Sequence, residues 1–335
     1  MIAKSSAAVI HYDQPVCVDA AALPHGADDD TLMAIGSGRL RLRVMIHRTD
    51  ISDLRPLVIL NSVDFPMPPS EAFCEKMWAA GFQVIFIERP GFGTSPALPK
   101  AVLQDAQIDN GAAVATEASL IYMLLSQMEL KDIVLLGMGS ANPVCYRLAR
   151  MHSEIELSIF SNAMFNQDIW GVFRPKWFQA MLRQTVGSKP GLHFATYGVK
   201  YQLRRAPMTF YRQLLQKSQG DIRYFEANKA AFVEASRLIR KIDVTTFNYD
   251  LKMSLSRDDN LKTKFFEGVN GVVFSGQETT DLWKSQMEAE AGRLNLPTVY
   301  APHGDLFAPY ASPEFLITTI GERTKVRKKA PLPFG

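Results

Sequence analysis

The chain has 335 residues, 47% of them hydrophobic, enough to pack one large domain with an insertion or two modest domains. Its 37 basic and 34 acidic residues leave a net charge of +3, which gives no ground for nucleic-acid binding. No stretch matches a signal peptide or approaches the roughly 18 apolar residues of a membrane span, so a cytoplasmic protein without a transmembrane segment is expected.

Residues 1–30 read as a weakly patterned N-terminal arm. Leu32 to His47 then reads as two strands around Gly36, Ser37 and Gly38, with LRLRVMIH alternating apolar and basic side chains as a half-buried edge hairpin does. PLVIL, Pro56 to Leu60, is an apolar strand that runs into Asn61, Ser62, Val63 and Asp64. Ser70 to Ala80 is a helix with Ser70 as its cap and Gly81 after its end. A further apolar strand leads into Glu88, Pro90, Gly91, Gly93 and Ser95. Glu117 to Met128 is a helix with Leu120, Ile121, Leu124, Leu125 and Met128 on one face.

The most informative stretch runs from Lys131 to Glu154. Ile133 to Leu136 is a short unbroken apolar run, as in a strand buried on both faces of a parallel sheet. A tight glycine turn follows, then a helix opened by Ser140, Asn142 and Pro143. After another strand at Leu157 to Phe160, an aromatic-rich helical region begins. Gly271 to Phe274 and Pro297 to Ala301 are the last two strands, and Glu314 to Glu322 is the final helix. A basic tail, 324–335, closes the chain.

Strand, sharp glycine turn and helix is the context of the nucleophile elbow, and GMGSANPVCYRLARMHSE resembles that of the α/β-hydrolase superfamily without a gap. The strand ending in an acidic residue and PGxGxS resembles the same superfamily's second signature. The resemblance implies an α/β fold, a mostly parallel sheet of the eight-stranded type flanked by helices. The core would comprise 31–165 and 266–323, with a helical lid at 166–265. The lid's aromatics would either glue it to the core or select a ligand.

The resemblance also assigns positions. Gly137 is the first small residue of the elbow, Ala141 the last, and Gly139 takes the nucleophile's place. Pro302 and Pro313-Glu314 frame the loop in which the superfamily carries its histidine, and on that register the position holds Leu306. The acid position falls at Glu278, Thr279 and Thr280, with Thr279 central. A hydrolase of this kind needs a hydroxyl or thiol, an imidazole to take its proton and a carboxylate to orient the imidazole. Gly139 and Leu306 supply neither the nucleophile nor the imidazole, and the acid position is ambiguous among Glu278, Thr279 and Thr280, with Asp281 one or two residues late. An elbow glycine is also found in the N-myc downstream-regulated proteins, which the chain resembles at that one position.

Two functional readings follow. In the first the chain is a pseudoenzyme that binds a small carbonyl or carboxylate ligand under the lid, or a protein partner. The backbone N–H groups of Val63 and Ser140 would then act as oxyanion-type donors at the positive end of a helix. In the second it is an esterase-like serine hydrolase using a displaced set, Ser140, His303 and Asp281. Against the second, Ser140 reads equally as a helix-start hydroxyl and His303 as a surface histidine. The six histidines show no metal-type spacing, and GFGTS lacks the third glycine of a dinucleotide loop, so neither a metal nor a cofactor is expected. Cys17, Cys74 and Cys145 have no paired or CxxC spacing and read as buried thiols in a reducing compartment.

Overall fold

The structure, a computed structural model, describes residues 9–16, 40–47, 54–105, 110–167, 188–255 and 261–325, with helical fragments at 176–177, 180 and 183–184. Its frame is a sheet of β1 (Val9–Val16), β2 (Leu40–His47), β3 (Arg55–Leu60), β4 (Phe82–Ile87), β5 (Ile133–Met138), β6 (Ile155–Ser161), β7 (Gly271–Gly276) and β8 (Thr298–Ala301). The spatial order is β1-β2-β4-β3-β5-β6-β7-β8. β2 is antiparallel to β1 and to β4, and the remaining pairs are parallel.

Period-2 geometry explains why the central strands are apolar without a break. Leu57 and Ile59 of β3, with Val134 and Leu136 of β5, point into one core; Val58, Leu60, Ile133 and Leu135 point into the other. The first core is closed by α1 (Glu71–Ala79), through Phe73 and Met77, and by α12 (Pro313–Arg323), through Leu316 and Ile320. The second is closed by α3 (Asn110–Gln127), α4 (Asn142–Met151) and α10 (Asp281–Leu294). A short helix, α2 (Lys100–Asp105), precedes α3, and α11 (Ala308–Ala311) precedes α12. Between β6 and β7 the chain inserts α5 (Lys189–Arg205), α6 (Pro207–Leu215), α7 (Gln219–Ala227), α8 (Lys229–Lys241) and α9 (Val244–Leu255).

Helix α1 begins where its cap predicts: the Phe73 N–H donates to Ser70 Oγ at 3.3 Å, and Gly81 follows at φ +93°. Two expectations need correction. The arm holds a strand, since Val9–Val16 pairs along its whole length with β2; alternation interrupted by Gln14 and Pro15 hides it. Helix α3 starts seven residues before Glu117, at Asn110, because the alanines of GAAVATE favour helix despite Gly111. The first half of the expected hairpin, residues 32–39, lies outside the described residues, as do Cys17 and the tail beyond Lys325. Cys74 and Cys145 are buried thiols. Among the described residues, no helix is long and apolar enough to cross a membrane, and no cluster of His, Cys, Asp and Glu has the makings of a metal site.

Candidate functional site

The elbow sits at the end of β5. Gly139 turns the chain at φ +49°, a region that costs a side-chain-bearing residue roughly 1–3 kcal/mol, and a Cβ there would lie 3.0 Å from that of Ser62. Gly139–Ala141 forms one turn of 3₁₀ helix before α4. The Asn142 amide ties the turn down by donating to the Gly139 carbonyl at 3.0 Å and the Ser161 carbonyl at 2.8 Å. Gly139 and Leu306 line one cavity together with Ser62, Asp64, Met138 and Phe307. The elbow and the loop after β8 therefore face each other across this cavity. The cavity measures about 10 Å³, room for about one water molecule.

Aromatic side chains fill the space above it. Tyr211 of α6, Phe225 of α7 and Phe232 of α8 are fully buried. The Phe232 ring lies 4.7 Å from that of Phe65 in the loop after β3, 5.5 Å from Phe307 and 4.8 Å from Tyr211. Tyr211 Oη donates to the Asp64 carbonyl at 2.9 Å, and Tyr310 Oη to Asn61 Oδ1 at 2.7 Å. Each polar tip is thus satisfied while the ring packs. Asp64 is exposed as a residue, but the protein crowded round its carboxyl and the charge of Asp250 raise its pKa to about 6.

Ser140 is 3% exposed, and its hydroxyl is committed in two directions. It accepts the Val63 N–H at 3.3 Å and donates to Asp250 Oδ2. Two expectations change here. Ser140 bonds across to α9 rather than capping its own helix, which has no side-chain cap. Val63 directs its N–H at Ser140 Oγ, so it is not a donor left open to a ligand. Asp250 in turn holds Arg89, with Oδ1 2.6 Å from Nη1. Arg89 Nε donates to Glu117 Oε1 at 2.6 Å, and Tyr249 Oη to Glu117 Oε2 at 3.1 Å. Arg89, Glu117 and Asp250 are each at most 1% exposed. Burial works against the Arg89 charge, but Asp250 and Glu117 outweigh it and raise its pKa.

The sequence-predicted Ser140, His303 and Asp281 are not brought together. The His303 side chain is half exposed, with Nδ1 3.5 Å from Arg223 Nη2 and 3.9 Å from Glu278 Oε1. Asp281 begins α10 with its carboxylate fully in solvent, 3.8 Å from Lys284 Nζ. Thr279, one of the residues at the expected acid position, is buried and donates to Asp305 Oδ1 at 2.6 Å.

The loop after β8 is instead pinned by two carboxylates: Asp221, which the sequence does not single out, and Glu278, one of the residues at the expected acid position. Asp221, in the first turn of α7, accepts the N–H groups of Asp305 and Phe307 at 3.1 Å and of Leu306 at 2.8 Å. Burial raises its pKa to about 6, against the pull of those three donors. Glu278 accepts from Ser218 Oγ at 2.6 Å, the Gly220 N–H at 2.7 Å and the Gly304 N–H at 3.3 Å. Gly304, at φ +91°, fits because both Gly220 and Gly276 leave no side chain in its way: a Cβ on either would lie within 2.3 Å of Gly304 backbone. The only sequence signal for this cross-brace is the concentration of glycine at three loop ends.

No protein-family model matches the sequence, and no curated protein matches it. Solved structures do. The Cif epoxide hydrolase from Acinetobacter nosocomialis is 12% identical over 84% of this chain and 85% of that one, with a TM-score of 0.59. An esterase from Exiguobacterium antarcticum is 14% identical over 85% and 95%, at 0.56. A bromoperoxidase from Bacillus anthracis is 15% identical over 86% and 97%, at 0.55. With this strand order, the turn after β5 and these neighbours, the chain has the α/β-hydrolase fold.

Proposed function

We propose that the protein is a non-catalytic member of this fold that acts by binding a partner through its surface. The observation that carries the reading is the state of the elbow cavity. A glycine stands at its nucleophile position, a leucine at its histidine position, and about 10 Å³ of space remains. Acyl transfer needs an oxygen or sulfur poised beside a base, with room for a tetrahedral carbon between them. The hydroxyl next door, Ser140, faces Asp250, whose charge is already engaged by Arg89. Structural neighbours include an esterase and an epoxide hydrolase, and transfer of either activity to this chain would require groups that these positions lack. The small volume also turns the choice between a ligand under the inserted helices and a protein partner toward the latter.

Purified protein incubated with short nitrophenyl esters and with a fluorophosphonate probe tests the reading. We expect no turnover above the Ser140→Ala variant and no labelling. Labelling that disappears in Ser140→Ala would establish an active serine hydrolase and overturn it.

A further inference from the structure

Helix α5 carries apolar side chains on two opposite sides, and among the described residues only one of them is buried. Leu192, Thr196 and Leu203 are buried against the rest of the molecule, and Lys200 turns inward to donate to the Ile242 carbonyl. On the other side Phe194 is 77% exposed, Tyr197 59% and Tyr201 60%. At 100° per residue these three rings fall within an arc of about 60°. Arg204 and Arg205 continue that face at the C-terminal end, and the Arg205 guanidinium lies 5.6 Å from the Tyr201 ring centre. Trp177, earlier in the same segment, is 69% exposed.

Charge is as uneven as hydrophobicity. The whole chain is nearly balanced, yet residues 169–220 hold nine Lys and Arg and not one Asp or Glu. Exposed rings flanked by arginines, with the helix lying along the surface, match the make-up of interfacial helices that rest on anionic lipid. Aromatic side chains are favoured at headgroup depth, where ring and polar tip find different surroundings. A nucleic acid would be served by the charge, and a second copy of the chain by the rings; lipid is served by both on one helix face.

We propose that α5 docks the protein on an anionic lipid surface, with Phe194, Tyr197 and Tyr201 entering the headgroup layer and Arg204 and Arg205 pairing with lipid phosphate. This goes beyond the non-catalytic reading and stands or falls separately from it. The test is co-sedimentation of the full chain with phosphatidylcholine vesicles, with and without phosphatidylserine. Binding is expected only to the phosphatidylserine vesicles and is released at about 1 M salt, where charges are screened within about 3 Å. R204Q/R205Q should weaken partition about 25-fold, two factors of about five. F194S/Y197S/Y201S should abolish binding with an unchanged melting temperature. No binding of the wild type to phosphatidylserine vesicles overturns the proposal. So does equal binding by the aromatic variant, or a wild type that ignores vesicles while binding an RNA duplex or forming a dimer.

Discussion

Arg89 shows how the chain resolves a buried charge. Its guanidinium is shared between Glu117 and Asp250 and lies 5.0 Å from the centre of the Phe92 ring. Removing one partner of such a cluster strands the others in a low dielectric, which costs far more than the pair contributes net. Asp250→Ala should therefore lower unfolding free energy by about 3–5 kcal/mol in urea titration. A loss under about 1 kcal/mol would mean that water reaches Arg89. The neighbouring Gly139→Ser restores an elbow hydroxyl in name only. Its Cβ would crowd Ser62 at 3.0 Å in a strained backbone region, so we expect a destabilised protein with no ester hydrolysis. The glycine could be read from the sequence because the motif around it is local. Asp250 could not: its bond to Ser140 spans 110 residues, and nothing in FNYDLK marks that aspartate as reaching inward.

At the scale of elements, the inserted helices are fastened to the loop after β8 by Asp221. Its carboxyl has a folded pKa of about 6 against an ordinary value of 3.8. The native state therefore holds a proton that the unfolded state has released between about pH 4 and 6, and stability falls as pH rises through that window. The full effect is about 3 kcal/mol at 1.36 kcal/mol per pH unit, and it levels off above pH 6. Other carboxylates titrate nearby, so the difference between wild type and Asp221→Asn isolates it. Relative to the variant, wild type should lose stability from pH 4 to 6 in chemical denaturation, and a flat difference would show an ordinary carboxyl. Some element ends were legible from local signals, as with Ser70, Gly81 and Pro313, but the equally local caps Ser188 and Ser218 were not read. Strand β1 was not, because its pairing with β2 lies across more than twenty residues and its own pattern is broken by Pro15.

At the scale of the molecule, the fold could be read because apolar runs and turn glycines recur in the right order even when identity to the three solved neighbours above is 12–15%. The packing above the small cavity could not, since it depends on how Tyr211, Phe225 and Phe232 arrive from three separate helices. Phe232 is the ring through which that closure is best tested. It packs against Phe65, Phe225, Phe307 and Tyr211 and is fully buried. Phe232→Ala should cost about 3–5 kcal/mol and leave a cavity lined by aromatic carbon. Such a void stays dry and admits a small apolar molecule. A benzene-sized ligand that binds only the folded variant restores stability in proportion to RT ln(1 + [L]/Kd). Thermal melting with saturating toluene should therefore raise the midpoint of Phe232→Ala and leave wild type unmoved. Ester hydrolysis should stay absent in both, because opening the space supplies neither a nucleophile at Gly139 nor an imidazole at Leu306. A wild type stabilised equally by toluene would show that the rings do not seal the site. Hydrolysis appearing in Phe232→Ala would show that catalytic groups are present and would overturn the non-catalytic proposal.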